Sequence, residues 1–367
     1  MNSETYRCWA EIDQKALQHN ADAVSRWLGG RVELLAVVKA NGYGHGMAGV
    51  ARALERTVQF FGVANLEEAI ILRREVSQPI VILGPALPEE RSVIAASGFI
   101  PSISSFEEAQ DFDRKARSNP VSINLVIDTG MGRIGVLETE AVVLFKKVAG
   151  LANIKISSLS THLPVANEDA EFTEAELGRF AQLVRRIREE SPGGDYKVHA
   201  LASGGVLSFA EAPFDIVRAG LMLYGVSPLS EFQKLVQPVL TWKARICLIR
   251  DMPAGHGISY GRTFITARGM RVATLSAGYA DGYPRHLSNR EAVVLVNGRR
   301  CALLGRVTMD LMMIDVSQVD AQVGDEVVLM GRQGEQEISA LELADRAGTI
   351  PWEIMTGIGA RVRRIYV

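Results

Sequence analysis

A lysine closes an otherwise apolar run, Leu34-Leu-Ala-Val-Val-Lys39, and three glycines, Gly42, Gly44 and Gly46, follow within seven residues. An ammonium held against apolar surroundings loses solvation, so its pKa falls and the neutral amine becomes a nucleophile toward carbonyl groups. A lysine at the end of a strand more often snorkels to water. Here the glycine-rich turn, read as a tight loop that a ligand can approach, favours a catalytic or Schiff-base lysine. Other reactive residues form no such pattern. His45, His199, His256 and His286 have no metal-ligand spacing, and no metal site is expected. Cys8, Cys247 and Cys301 are odd in number, far apart and without a C-x-x-C pair, which argues against a disulfide framework or zinc knuckle and fits a reducing compartment.

The elements that must hold Lys39 are legible as alternation. Eight short apolar runs, Leu34–Lys39, Phe60–Asn65, Pro79–Gly84, Ile100–Ser105, Val121–Asp128, Ile154–His162, Lys197–Ser203 and Asp215–Leu223, read as strands buried on both faces. Amphipathic stretches separate them. The clearest is Thr173–Glu190, with Leu177, Phe180, Val184 and Ile187 on one face and a stop at Ser191-Pro192-Gly193-Gly194. Eight strand–helix alternations predict an α/β fold with a (β/α)8 TIM-like barrel, whose active sites lie at the C-terminal ends of the strands. Lys39 stands at such an end. The pattern then changes to β-rich runs, Val239–Arg250, Met270–Ser276, Glu291–Val296 and Glu326–Met330, with a hairpin expected at Asn297-Gly298 and a helix at Ser339–Ala347. This predicts a cofactor-binding barrel over residues 1–232 and a mainly β domain over 233–367.

Composition adds exclusions. With 367 residues, 40 Lys plus Arg against 42 Asp plus Glu and a formal charge of −2, the chain has no basic footprint for nucleic acid or an anionic membrane. Met1–Trp9 has no apolar core of a secretory leader, and no apolar run approaches bilayer-spanning length. A cytoplasmic location is expected.

The stretch Ala36-Val-Val-Lys39-Ala-Asn-Gly-Tyr43-Gly-His-Gly resembles the cofactor-lysine motif of the alanine racemase family, pyridoxal-phosphate-dependent isomerases of fold-type III. Further similarities follow in order along the whole chain. They are Asp128-Thr-Gly-Met-Gly-Arg133, Ser160-Thr-His162, Val217-Arg218-Ala-Gly220-Leu221, Ser259-Tyr260-Gly, Gly278-Tyr279-Ala-Asp-Gly and Gly305-Arg-Val-Thr-Met309-Asp310. The resemblance implies interconversion of L- and D-alanine through a pyridoxal 5'-phosphate aldimine on Lys39, supplying D-alanine for peptidoglycan. It implies two bases, Lys39 on the D-face and Tyr260 on the L-face, because a racemase must remove the Cα proton from one face and return it to the other. It assigns Arg218 to the cofactor's pyridine nitrogen with His162 beside it. Tyr43, Ser203 and the backbone at Gly220 and Leu221 fall to the phosphate, and Arg133 and the Met309 backbone to the substrate carboxylate. Loops after the seventh and eighth strands are the usual phosphate cradle of a barrel, and a guanidinium fork suits a carboxylate. The resemblance further implies a head-to-tail homodimer in which Tyr260 reaches Lys39 across the subunit interface.

Three positions depart from the family pattern: Val126 where many members have a lysine that supports the substrate arginine, Ala202 before Ser203 instead of asparagine, and Ala360 where some have a phosphate-binding tyrosine. Two other classes compete. A barrel-type pyridoxal-phosphate decarboxylase would need a glutamate in place of Arg218, and a single-barrel cofactor carrier would lack the domain that bears Tyr260.

Overall fold

Strands buried on both faces pair side by side only if helices cover the outside, and the chain from Leu17 to Gly42 and Met47 to Gln237 does this. The computed structural model describes residues 6–116, 119–212 and 214–367; Met1–Thr5, part of the stretch read for a leader, lie outside them. The eight strands of this unit are Glu33–Val37, Phe60–Val63, Ile80–Ile82, Ile100–Ile103, Val121–Asp128, Ile154–Ser160, Lys197–His199 and Ile216–Ala219. All neighbours run parallel, with registers such as Leu35 against Phe60 and Ser102 against Asn124. The last strand pairs with the first, Arg218 against Leu35. It also meets the chain after the seventh through a parallel bridge, Ala202 to Arg218. The sheet thus curls into the expected barrel. One belt of the interior is polar and fully satisfied: Ser102 Oγ donates to Ile82 O at 2.8 Å, Asn124 Nδ2 to Ser102 Oγ at 3.1 Å and Ser158 Oγ to Asn124 Oδ1 at 2.9 Å.

Several strands end earlier than the apolar runs suggest. The run Asp215–Leu223 is strand only over Ile216–Ala219, and Leu221–Tyr224 form a buried 3-10 turn. An apolar residue past a strand end stays buried when the chain folds over the barrel mouth, so hydrophobicity alone overruns the strand. Helix starts follow their caps. Ser105 and Glu108 form a reciprocal capping box, and Asp169 Oδ1 accepts from Phe172 N at the head of Ala170–Glu190, three residues before the expected start.

The second unit holds the chain up to Ala16, Tyr43–Gly46 and Pro238–Val367, whereas sequence patterning divides the chain at 232/233. The amino-terminal strand Cys8–Ile12 joins it because it pairs antiparallel with Leu240–Met252, Ala10 opposite Trp242, and parallel with Arg363–Tyr366. Around these lie Met270–Leu275, Val293–Val296, Arg299–Ala302, Met312–Asp315 and Glu326–Gln333. Asn297 (φ 48°) and Gly298 (φ 73°) make the left-handed pair that the predicted hairpin requires. Trp9, Trp242 and Tyr283 are fully buried at its centre. The helix Ala340–Ala347 is joined by a second, Pro351–Thr356, too short to show a period in sequence.

Candidate active site

The first barrel strand stops at Val37, and Lys39 opens a single left-handed turn instead of prolonging it. Ala40, Asn41, Gly42 and Tyr43 have φ of 51°, 53°, 62° and 51°, and Gly42 N donates to Val38 O at 2.8 Å. Each non-glycine residue held there costs about 1–2 kcal/mol. Two carboxamide and carboxylate groups hold the turn. Glu68 accepts from Ala40 N at 2.7 Å and Ala64 N at 2.8 Å, and Asn41 Oδ1 accepts from Met47 N at 3.0 Å. The following glycines serve packing rather than ligand access. A Cβ on Gly44 would lie 2.0 Å from Met355 O, and one on Gly46 2.1 Å from the Tyr366 hydroxyl. Arg364 Nε donates to Gly44 O at 2.9 Å, so Tyr43–Gly46 belong to the β-rich unit.

Around Lys39 the barrel gathers cations. Burial first, and then Arg133 and Arg218, lower its pKa, opposed in part by Glu68. Arg218, on the eighth strand, is only 6% exposed, and among the described residues it makes no bond to a carboxylate. Its Nη1 donates to His199 Nδ1 at 2.7 Å and His199 O at 3.2 Å. Its Nη2 donates to Thr161 O and Ala200 O at 2.8 Å and to His162 Nδ1 at 3.1 Å. Among the described residues it therefore forms no ordinary Arg–carboxylate pair. Guanidinium only donates, so both imidazoles must accept at Nδ1 and stay neutral. Burial and Arg218, with Arg133 and Lys39 adding, push His162 down to about 3, and burial with Arg218 holds His199 well below its ordinary range. Burial also lowers Arg218, to about 10, which leaves it charged at neutral pH.

Ser203 begins a short helix after the seventh strand. Its Oγ accepts from Gly220 N at 3.2 Å and Met222 N at 3.3 Å, leaving the hydroxyl proton to donate. The first-turn amides at Gly204 and Leu221 lack intrahelical acceptors by construction. Tyr43 is buried, which pushes its phenol up to about 12 and keeps it a neutral donor. An amine of depressed basicity, a charged donor fork without a counter-ion and a hydroxyl with a spare proton are the donor set that an aldehyde cofactor with a phosphate arm requires. The residues present fit pyridoxal phosphate.

The remaining expected residues are exposed. Arg133 is exposed on the loop after the fifth strand, where Asp128 Oδ1 accepts from Gly130 N at 3.0 Å and Gly132 N at 3.1 Å. Val126 is buried and offers no polar group. Tyr260 and Met309 lie in the β-rich unit, 71% and 54% exposed. Tyr260 follows Ser259, whose backbone (φ 62°, ψ −174°) is almost confined to glycine and is held by Ser259 Oγ donating to Arg306 O at 2.6 Å. Met309 O accepts from Ala280 N at 2.9 Å. The loop is anchored by Arg361, which bridges Asp281 at 2.7 Å and Asp310 at 2.7 Å.

Residues 12–228 match the family model for the alanine racemase N-terminal domain, and residues 239–366 that for the C-terminal domain. The chain belongs to the alanine racemase family. A family member from Halothermothrix orenii, an alanine racemase, is 44% identical over 98% of this chain and 96% of its own. The solved structure of the alanine racemase of Clostridium difficile superposes with a TM-score of 0.93 at 31% identity, covering 99% of this chain and 96% of that one. That of Bartonella henselae, an alanine racemase with covalently bound pyridoxal phosphate, superposes at 0.86 with 29% identity over 99% and 100%. Beyond the residues that the family resemblance singles out, the structure adds His199, Thr161 and Ala200 as partners of Arg218. In sequence His199 is one of the histidines without metal-ligand spacing, within the run Lys197–Ser203. Carbonyl acceptors have no sequence signature at all.

Proposed function

We propose that the chain interconverts L- and D-alanine with pyridoxal phosphate, by two bases, Lys39 and Tyr260, and that the D-alanine formed supplies cell-wall peptidoglycan. The observation that carries this reading is Arg218, a buried guanidinium whose partners among the described residues are all neutral acceptors, beside a lysine of lowered pKa. When bound, the cofactor supplies an electron sink for the pair left on Cα. Lys39 would hold its carbonyl carbon, and Arg218 would face the pyridine nitrogen. Ser203, Tyr43 and the amides of Gly220 and Leu221 would hold the phosphate. Because arginine can only donate, it discourages protonation of that nitrogen and leaves Cα as the better place for the proton's return. Arg133 and the Met309 N–H orient the substrate carboxylate.

Lys39 Nζ moves the proton on one face and the Tyr260 hydroxyl on the other. The reading takes Tyr260 and Met309 from a second copy of the chain in a homodimer, supported by their exposure on a unit of their own. Among the described residues no helix is long and apolar enough to cross a membrane, and the three cysteines are free. Both agree with a cytoplasmic setting. Incubation with L-alanine, with and without added pyridoxal phosphate, tests the reading. Optical rotation should decay to zero, since the enantiomers have equal free energy. Release of carbon dioxide, or rotation that persists with the cofactor present, would refute it.

A further inference from the structure

The helix Ala170–Glu190 lays one face on the root of the Arg133 loop. Glu176 and Arg179, one turn apart on it, take hold of the same residue from two sides. Thr129 Oγ1 donates to Glu176 Oε1 at 2.5 Å, and Arg179 Nη2 donates to Thr129 O at 2.9 Å. Arg179 is itself oriented by Glu138, 3.3 Å from its Nε. A methyl group on Gly130 would come within 3.2 Å of the Phe172 ring and 3.3 Å of Glu176 Oε1, so this part of the loop is seated directly on the helix. The hydroxyl chain continues. Thr129 Oγ1 and Thr161 Oγ1 are 2.6 Å apart, and the carbonyl of Thr161 accepts from Arg218.

Glu176 is fully buried, and among the described residues its second carboxyl oxygen has no hydrogen-bond partner. A buried carboxyl half satisfied costs more than an apolar side chain of similar size would at the same place. Its one bond goes to Thr129, four residues before Arg133. Arg133 in turn makes no side-chain hydrogen bond among the described residues, and the buried Val126 can give it none. The place of Arg133 is therefore set by the backbone of its loop, which Asp128 holds from within and the helix holds through Thr129.

We propose that Glu176, with Arg179, is a positioning residue that clamps the Arg133 loop and ties it through Thr129 and Thr161 to the Arg218 side of the site. The kinetic part rests on the reading of Arg133 as holder of the substrate carboxylate. The clamp itself does not. Amide hydrogen exchange of the cofactor-free protein reads it directly. Glu176→Leu and Thr129→Val should speed exchange in the segment 128–135 by at least about tenfold, while amides of the helix Ala170–Glu190 stay protected. Glu176→Gln, which keeps an acceptor, should restore the parent rates.

In the loaded enzyme the same two variants should raise the alanine KM by about tenfold with a smaller change in kcat. In an Arg133→Ala background Glu176→Leu should add nothing further. Unchanged exchange in segment 128–135 for both variants overturns the clamp. So does an undiminished kinetic penalty without Arg133. If Arg133→Ala alone keeps normal kcat/KM, the carboxylate reading fails while the exchange result still decides the clamp. Should Glu176→Leu not fold, Thr129→Val, which removes only a hydroxyl, carries every arm.

Discussion

Two neutral histidines packed on a buried guanidinium make the stability of this protein depend on acid. In the unfolded chain a histidine has its ordinary pKa of 6.5, whereas in the fold His162 is held at about 3 and His199 well below that ordinary value. Both folded values are depressed, so between them and 6.5 the unfolded chain binds more protons than the fold. Stability therefore rises with pH through this window and is lost as pH falls. From about pH 7 to about pH 5 His162 in the fold refuses nearly one proton that the unfolded chain takes up, worth about 2 kcal/mol, and His199 acts in the same direction. Asp111, held at about 2 mainly by Lys115, stays ionised in this range and adds nothing. Glu176, raised by burial, acts in the opposite sense and offsets a part. Urea unfolding of the cofactor-free protein at one protein concentration, across that range, measures the slope. His162→Gln, which keeps an acceptor for Arg218 but cannot titrate, should lose about 2 kcal/mol less than the parent over the same interval. A parent whose stability is flat over the interval, or a His162→Gln slope equal to the parent's, would falsify the assignment of neutral imidazoles.

The left-handed turn after Lys39 allows two substitutions of opposite sign. Ala40→Gly should stabilise by up to about 1 kcal/mol, the strain removed less the glycine entropy. Gly44→Ala, whose methyl would meet Met355 O, should destabilise by several times as much, both read by urea unfolding. Borohydride reduction of the cofactor-loaded protein should fix the cofactor on the peptide that holds Lys39; recovery of the label on any other lysine would discard that assignment. Inactive Lys39→Ala and inactive Tyr260→Phe proteins, mixed under conditions of demonstrated subunit exchange, should regain part of the activity, since some hybrid sites carry both bases. No recovery would mean a site built within one chain.

The local chemistry of the chain is legible from residue order. The run of apolar residues ending at Lys39, the eight alternations and the capping residues Asn65 and Ser105 report interactions that act over a few residues, and the barrel follows from them. The ordered motifs, from Lys39 through Met309, name the family for the same reason: each is a short contiguous signature. What only the tertiary structure decided lies in contacts between distant segments. No local rule joins Cys8–Ile12 to strands that begin at Leu240, because pairing depends on partners more than two hundred residues away. Nothing in sequence separates the glycines at 44 and 46 as packing positions, since the atoms they admit belong to Met355 and Tyr366. The buried partners of Arg218 are mostly carbonyls, which every residue carries. Glu176 reads as a solvated charge on a helix until the loop bearing Thr129 is folded over it, and burial then turns an ordinary glutamate into the residue that holds Arg133 in place.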